Sequence, residues 1–482
     1  MENKFSEKNI VINMFWRFLE KSGTQFVSFV VGVIIARIID PEAFGVVAIV
    51  NAFTSIIDEF IENGLCLSLY QKKHPDDLDY STVFITDLVV SLILYIILFV
   101  SAPLIANYYD MPQLAMLLRV SGLSLIISTI RSIQRSYVSK NMIFKKFFFS
   151  SLSGIIASGI VGIWMALSGF GVWALIVSPI VENTINIFIN YFSIKWRPKF
   201  GFSFERLKES FDYSSKVFLA FSLGNIYDKL RQLIIGKHYS AEDLAYYDKG
   251  ESIPRKLTNS LESSIKSVMK PVLSDCQDDK ERTKQIVKKY PEVNFLFMTP
   301  ILLGIAAIAD SAIELVYTKK WLFAVPFLRI FCVIKLFNSV KISHQYVIRS
   351  SKRSEELLKL ELICKVYGLI ILFITSKISV LAMTIGLLVC DFADQNVSSF
   401  YCNKFINYTY LEQIKDVLVY IIIGTIMYCA VVLVEKVQIS LMLTLILQIL
   451  TGAVVYIAGI LLLKRESLAL VFDLIKKIIK KK

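Results

Sequence analysis

The 482-residue sequence predicts an all-α polytopic membrane protein. About fourteen transmembrane helices are expected, as two pseudo-symmetric sets of six plus two C-terminal helices. Three observations carry this. First, 55% of the residues are apolar and only 19% charged. The apolar residues gather into recurring runs near the roughly 20 residues a helix needs to cross a bilayer. Second, the chain echoes itself. Ile34, Ile35 and Glu42 recur as Ile234, Ile235 and Glu242, and Arg37 is matched by Lys237. Glu62 is matched by Glu262, while Leu118-Arg119-Val120 returns as Leu328-Arg329-Ile330 and Tyr137-Val138 as Tyr346-Val347. A register that drifts slowly is what small loop insertions produce in a duplicated chain. Third, Lys and Arg alternate between the two sides. With the amino terminus cytoplasmic, the outer segments hold only Arg37, Lys237, Lys319, Lys320, Lys377 and Lys436, and the inner segments hold the great majority. That asymmetry sets a topology with both termini cytoplasmic, and one helix more or fewer would scramble it.

The spans follow from breaks at Pro, Gly, Asn and charge clusters. The first, 11–36, carries Arg17, Glu20 and Lys21 and lacks a small-residue cleavage site, so it reads as a retained helix and not a signal peptide. A sharp turn at Asp40-Pro41 leads into 44–68, and 80–106, 113–138 and 147–168 follow. Gly169 and Gly171 set off 171–193. The second set comprises 211–236, 245–269, 286–309, 322–348, 355–376 and 378–402. Span 245–269 is markedly polar; its repeat partner 44–68 justifies keeping it. Spans 416–434 and 439–463 have no counterpart. The expected domains are therefore 1–200, 201–410, a two-helix addition at 411–463 and a tail at 464–482. That tail alternates apolar residues with lysines, as either an amphipathic helix on an anionic leaflet or a plain solubilising tail would.

Charged residues inside these spans are distributed unevenly. Each costs about 2.5–3.5 kcal/mol at mid-membrane, so it normally meets a partner or a wet cavity. Arg17, Glu20, Lys21 and Thr24 share one face of the first span. Asn51, Ser55, Asp58, Glu59 and Glu62 lie on the second, Lys216, Ser222, Asn225, Asp228, Lys229 and Arg231 on the seventh, and Glu251, Arg255, Glu262 and Lys266 on the eighth. The first two helices of each half are thus the polar ones, and helices in equivalent places of two repeats most simply line one hydrated cavity. Arg17, Lys21, Lys216, Arg255, Lys256 and Lys341 are the candidate substrate-binding bases, since Arg and Lys pair strongly with phosphate. Asp58, Glu59, Glu62 and Glu262 either balance those bases or act as ion-coupling sites. Pairing within a turn and snorkelling to the interface are the structural readings of the same charges, for Lys341 above all.

Other chemistry is excluded by what the sequence lacks. Seven cysteines include no C-x-x-C pair and the three histidines lie far apart, so no metal or cofactor is expected. There is no G-x-x-x-x-G-K-[ST], H-E-x-x-H or G-x-S-x-G motif, and every loop is short. The net charge of +13 is a topology signal, and no nucleic-acid partner is expected.

Several stretches are similar to one family. Ile35 through Gly45 resembles the turn after the first helix of bacterial polysaccharide flippases, exporters of the MOP (multidrug/oligosaccharidyl-lipid/polysaccharide) superfamily. Gly169-Phe170-Gly171-Val172-Trp173-Ala174-Leu175 resembles the family's hairpin between spans five and six. Asn141 through Lys145 looks like a further family segment, with Asn141 where a basic residue is usual. Tyr246-Tyr247 with Pro254, and Trp321 through Pro326, are similar to its motifs opening spans eight and ten. The resemblance covers about residues 10–350. It implies a V-shaped bundle of two six-helix lobes with helices one, two, seven and eight around a cavity. It further implies that undecaprenyl-diphosphate-linked oligosaccharide repeat units for O-antigen, capsule or exopolysaccharide are moved across the bacterial inner membrane by alternating access. Membrane lipid, a polysaccharide polymerase and export machinery are the expected partners. A cation-coupled exporter of another amphiphile is the alternative, and an embedded glycan polymerase or ligase a more distant one; the expectation is a transporter and not an enzyme.

Overall fold

Several helices start or stop at short polar and glycine signals, which the computed structural model shows at work. It describes residues 7–62, 65–72, 75–194, 197, 199, 201–275, 279–350, 354–437 and 440–463. These form sixteen α-helices and, among the described residues, no strand. In order they are α1 (Glu7–Ile38), α2 (Pro41–Glu62), α3 (Cys66–Gln71), α4 (Asp77–Tyr109), α5 (Gln113–Asn141), α6 (Phe144–Leu167), α7 (Val172–Ser193) and α8 (Phe204–His238). Then come α9 (Ala241–Asp275), α10 (Lys280–Ala307), α11 (Ala309–Tyr317), α12 (Val325–Ser350), α13 (Ser354–Thr375), α14 (Val380–Ile406), α15 (Tyr410–Val434) and α16 (Leu441–Leu463). Asp76 caps α4 and Thr409 caps α15, each in a capping box with the acid three residues on. The α6–α7 hairpin needs Gly169 at φ +82° and Gly171 at φ +53°, which explains both glycines of the Gly-Phe-Gly stretch.

Every expected span has its long helix. Among the described residues eleven helices are long and apolar enough to cross a membrane; α8, α9 and α13 are not in that set. The span expected at 44–68 is divided, α2 ending at Glu62 and the short α3 taking up its last residues, while α11 falls between the spans expected at 286–309 and 322–348; the tail expected at 464–482 lies outside the described residues. Large apolar side chains, among them Ile93, Ile97, Val100 and Leu104 of α4 and Leu443, Leu447, Leu450 and Val454 of α16, are exposed along one face, as in helices facing lipid.

The chain divides into two compact units, Met1–Ala245 and Tyr246–Lys482. In the first, α6 packs on α1 and α7, α5 on α2 and α4, and α8 on α2 and α4. Small residues of α6 make this possible: a Cβ on Gly159 would meet Val31 at 2.6 Å, and one on Gly162 would meet the Ser178 hydroxyl at 2.3 Å. In the second, α10 packs on α12 and α15, α14 on α12 and α13, and α16 on α15. Its core gathers Val287, Tyr290, Ile348, Leu360, Cys402 and Tyr408.

Local geometry repeats with the sequence. Helices α1 and α8 end at Ile38 and His238, and α2 and α9 begin at Pro41 and Ala241. The closing bonds, Ile39 N–H to the Ile35 carbonyl and Tyr239 N–H to the Ile235 carbonyl, are both 2.9 Å. Arg119 donates through Nε to the Phe99 carbonyl at 3.2 Å, and Arg329 does the same to the Ala306 carbonyl at 3.2 Å. The drift between copies has its cause in α11 and the short 3₁₀ turn Lys319–Ala324, where the first half has only the residues between α4 and α5.

Candidate functional site

In the first unit the polar faces of α2, α5 and α8 meet. Asp58 of α2 accepts a hydrogen bond from Ser128 of α5 at 2.9 Å. Glu59 accepts from the Asn225 amide of α8 at 3.0 Å, and the same nitrogen lies 3.4 Å from the Ser55 carbonyl. Periodicity explains why these residues point together. Ser55, Asp58 and Glu59 are spaced i, i+3, i+4 on α2, so one face carries all three. Both carboxylates are half-buried, and each accepts a hydrogen bond from a neutral donor.

On α1, Arg17 pairs with Glu20 at 2.8 Å and its guanidinium lies 5.6 Å from the Phe144 ring centre. Lys21, one turn on, is exposed. Arg17 is thus compensated within its own turn, and Lys21 is the accessible charge of that face. In the second unit Arg255 reaches Glu251 only at 4.0 Å, at the edge of ion-pair range, and Lys256 is exposed. The side chains of Lys216, Glu62 and Glu262 lie outside the described residues.

Lys341 is placed differently from the other bases. Its ammonium bridges Asp391, at 3.5 Å, and Asp394, both on α14, and Tyr367 of α13 donates its hydroxyl to Asp394 as well. Sequence reasoning named Lys341 but neither carboxylate. The available signal was two aspartates three residues apart inside an otherwise apolar span. Their pairing with a lysine some fifty positions away leaves no local trace.

A second network escaped the sequence reading. Asp79, at the start of α4 and 4% exposed, takes Lys72 at 2.8 Å and Arg206 of α8 at 2.7 Å, and Arg206 also reaches Asp76 at 3.3 Å. The hydrogen bond and charge of Asp79 hold the Arg206 guanidinium above its ordinary value. At the opposite ends of the same two helices Lys237 pairs with Asp110 at 2.8 Å, and the Tyr109 hydroxyl donates to the Leu233 carbonyl at 3.1 Å. Helix α8 is therefore tied to α4 at both ends.

The motif fragments that open the eighth and tenth spans pack on one another. Tyr246 meets Trp321 and Phe323 with ring centres 6.2 and 5.6 Å apart, and Tyr247 meets Phe331 at 5.3 Å. Lys249 lies 4.7 Å from the centres of both the Trp321 and Tyr317 rings. A Cβ on Gly250 would come within 2.8 Å of the Leu328 backbone nitrogen, so the glycine permits this approach. Among the described residues no group of His, Cys, Asp or Glu could hold a metal ion.

With this geometry in place, comparison with known proteins is informative. The family model described as "Polysaccharide biosynthesis protein" matches residues 34–326. The succinoglycan biosynthesis transport protein ExoT of Rhizobium meliloti is 25% identical over 68% of this chain and 66% of its own length. The lipopolysaccharide biosynthesis protein WzxC of Escherichia coli is 22% identical over 64% of this chain and 63% of its own. Both matches thus span just under two thirds of the relative. Among solved structures, the lipid II flippase MurJ in an inward closed conformation superposes with a TM-score of 0.73 at 16% identity, over 95% of this chain and 100% of that one. An inward-facing MATE family transporter of the MOP superfamily gives a TM-score of 0.62 at 13% identity, over 80% of this chain and 94% of that one. These likenesses establish the fold, a multi-pass helical membrane architecture.

Proposed function

We propose, on the premise that this chain belongs to the polysaccharide biosynthesis protein family, that it is a flippase for a lipid-linked oligosaccharide in a bacterial inner membrane. The observation that carries the reading is the family match together with relatives named for succinoglycan transport and lipopolysaccharide biosynthesis. The substrate is an undecaprenyl-diphosphate-linked repeat unit, and both termini face the cytoplasm. Its glycan and diphosphate are handled by basic side chains while the polyprenyl tail stays in lipid. The accessible bases Lys21, Arg255 and Lys256, with Lys216 and an Arg17 that can exchange Glu20 for phosphate, compensate the diphosphate as it leaves water. Lys341 is held by two carboxylates and is the least available of the described bases. Alternating access then exposes the head group to the other leaflet. Asp58 and Glu59, engaged by neutral donors, balance the bases.

The test is a strain lacking the chromosomal copy, complemented with Arg17→Ala/Lys21→Ala. Loss of surface polysaccharide at unchanged membrane abundance supports the assignment. Full restoration removes those two residues from the mechanism.

A further inference from the structure

The Lys341 cluster gathers three charged side chains, all half-buried, within the second unit, and the head-group reading does not use it. Two carboxylates and one ammonium do not balance. Lys335, on the same helix, acts on Asp391 through space and makes no ion pair among the described residues. Cys364 and Tyr367 of α13 face Asp394 but carry no positive charge. The charged groups that α10 and α15 bring toward α14 at its far end pair with each other, Lys284 with Glu412 at 3.1 Å and Lys288 with Asp416 at 3.0 Å. An uncompensated negative charge at this depth in a membrane is costly, and a proton on either carboxylate removes it. A metal ion would demand more oxygen ligands than a site already occupied by an ammonium and a phenol can turn toward it.

A second observation points the same way. Toward the Asn407 end of α14, polar side chains of α12, α14 and α15 form a broken file of separate hydrogen-bonded groups. His344, one turn beyond Lys341 and 1% exposed, meets the Ser398 hydroxyl through Nδ1 at 3.2 Å. Ser398 in turn donates to the Asp394 carbonyl at 2.8 Å. Ser399 donates to Gln413 of α15 at 2.8 Å, Gln413 donates to the Tyr408 carbonyl at 2.9 Å, and the Tyr408 hydroxyl donates to Asp416 at 2.7 Å. Asp416 pairs with Lys288, whose side chain is 44% exposed. Two buried nitrogens along the file, His344 Nε2 and Gln395 Nε2, have no hydrogen-bond partner. Such atoms are where bridging water enters a buried network.

We propose that Asp391 and Asp394, bridged by the Lys341 ammonium, form a proton-exchange site reached from the Asn407 end of α14 through Asp416, Gln413–Ser399, Ser398 and His344. The step conserves charge: a proton from water converts one carboxylate to the neutral acid, and Lys341 stays protonated and pairs with the other. Deprotonation reverses it, so the cluster alternates between neutral and singly negative. In the orientation proposed above, the file opens to the cytoplasm. The inference goes beyond glycan transport and does not depend on it, because it concerns only protons.

The experiment is infrared difference spectroscopy on the purified full chain in vesicles of phosphatidylethanolamine and phosphatidylglycerol, with the pH stepped and no glycan present. A carboxylic-acid carbonyl band should grow in as the pH falls, and be lost in both Asp391→Asn and Asp394→Asn. Lys341→Met, which leaves two acids facing each other with no cation between them, should raise the band about twofold because neutrality then needs a second proton. His344→Gln should leave the amplitude unchanged and slow the response to a pH jump. Circular dichroism and monodisperse elution check that each variant folds. Should an aspartate variant fail to fold, the Lys341→Met amplitude and the His344→Gln rate decide. A band unaltered in both Asn variants, or in Lys341→Met, overturns the proposal. Loss of glycan export with these spectra intact would count against the flippase reading alone.

Discussion

Single residues decide where charge can sit in this chain. Asp79 is the clearest case. Buried at 4% exposure, it is acceptable only because Lys72, Arg206 and the Asp76 backbone N–H converge on it. Removing it leaves two cations facing each other with their shared acceptor gone. Asp79→Ala should therefore cost about 1.5–3 kcal/mol, the usual range for hydrogen bonds to charged groups. Thermal unfolding of the detergent-solubilised protein should show a lowered midpoint, and an unchanged midpoint would mean that the network only decorates the surface. The residue scale is also where the sequence was least legible. Arg17, Lys21 and Arg255 stood out because a charge in an apolar run is conspicuous. Asp391 and Asp394 were equally conspicuous in kind, yet their meaning rests on Lys341, and no local pattern joins positions on different helices. Asp79 lay at a span end, where an acid ordinarily reads as part of a helix cap; it is the capping-box partner of Asp76, with a second task added.

At the scale of elements, the turn that the sequence repeats is also a packing device. The N-terminal turn of α2 and the start of α9 are so close that a Cβ on Gly45 would lie 1.7 Å from the Ala241 carbonyl oxygen. Gly236 of α8 faces Ile49 of α2 in the same way, with a Cβ contact of 2.8 Å. Within the first unit the two repeated turns thus approach each other through small residues, one glycine from each. Gly45→Ala meets backbone that cannot swing aside, so overpacking should cost about 1–3 kcal/mol. Gly236→Ala meets only the end of a flexible isoleucine and should cost less. Thermal midpoints of the two variants, compared in one detergent, check the order; equal effects would mean that the turns separate readily. Long helices were the most legible elements, since run length and hydropathy fix them physically. Helices α3 and α11, of 6 and 9 residues, were not, because pieces that short show no period and owe their form to the neighbours they pack on. The polar α9 was recoverable only through its repeat partner.

For the whole molecule, the duplication explains most of what the sequence disclosed. Two copies of one plan share a turn, an arginine that caps the carbonyl of the preceding helix, and polar first helices. The direction of Lys and Arg bias, the family match over residues 34–326 and the superposition on a flippase fold then converge on one architecture. Which glycan the proposed transport would carry left no trace in the sequence, which holds no contiguous motif for a head group. The central claim is that a phosphorylated, lipid-linked glycan changes leaflet through this protein. Its most direct test is the leaflet distribution of undecaprenyl-diphosphate-linked repeat units in membranes from a strain lacking the chain. The account predicts that they accumulate on the cytoplasmic leaflet and return to the outer leaflet on complementation with the wild-type chain. An unaltered distribution, with surface polysaccharide intact, would contradict it.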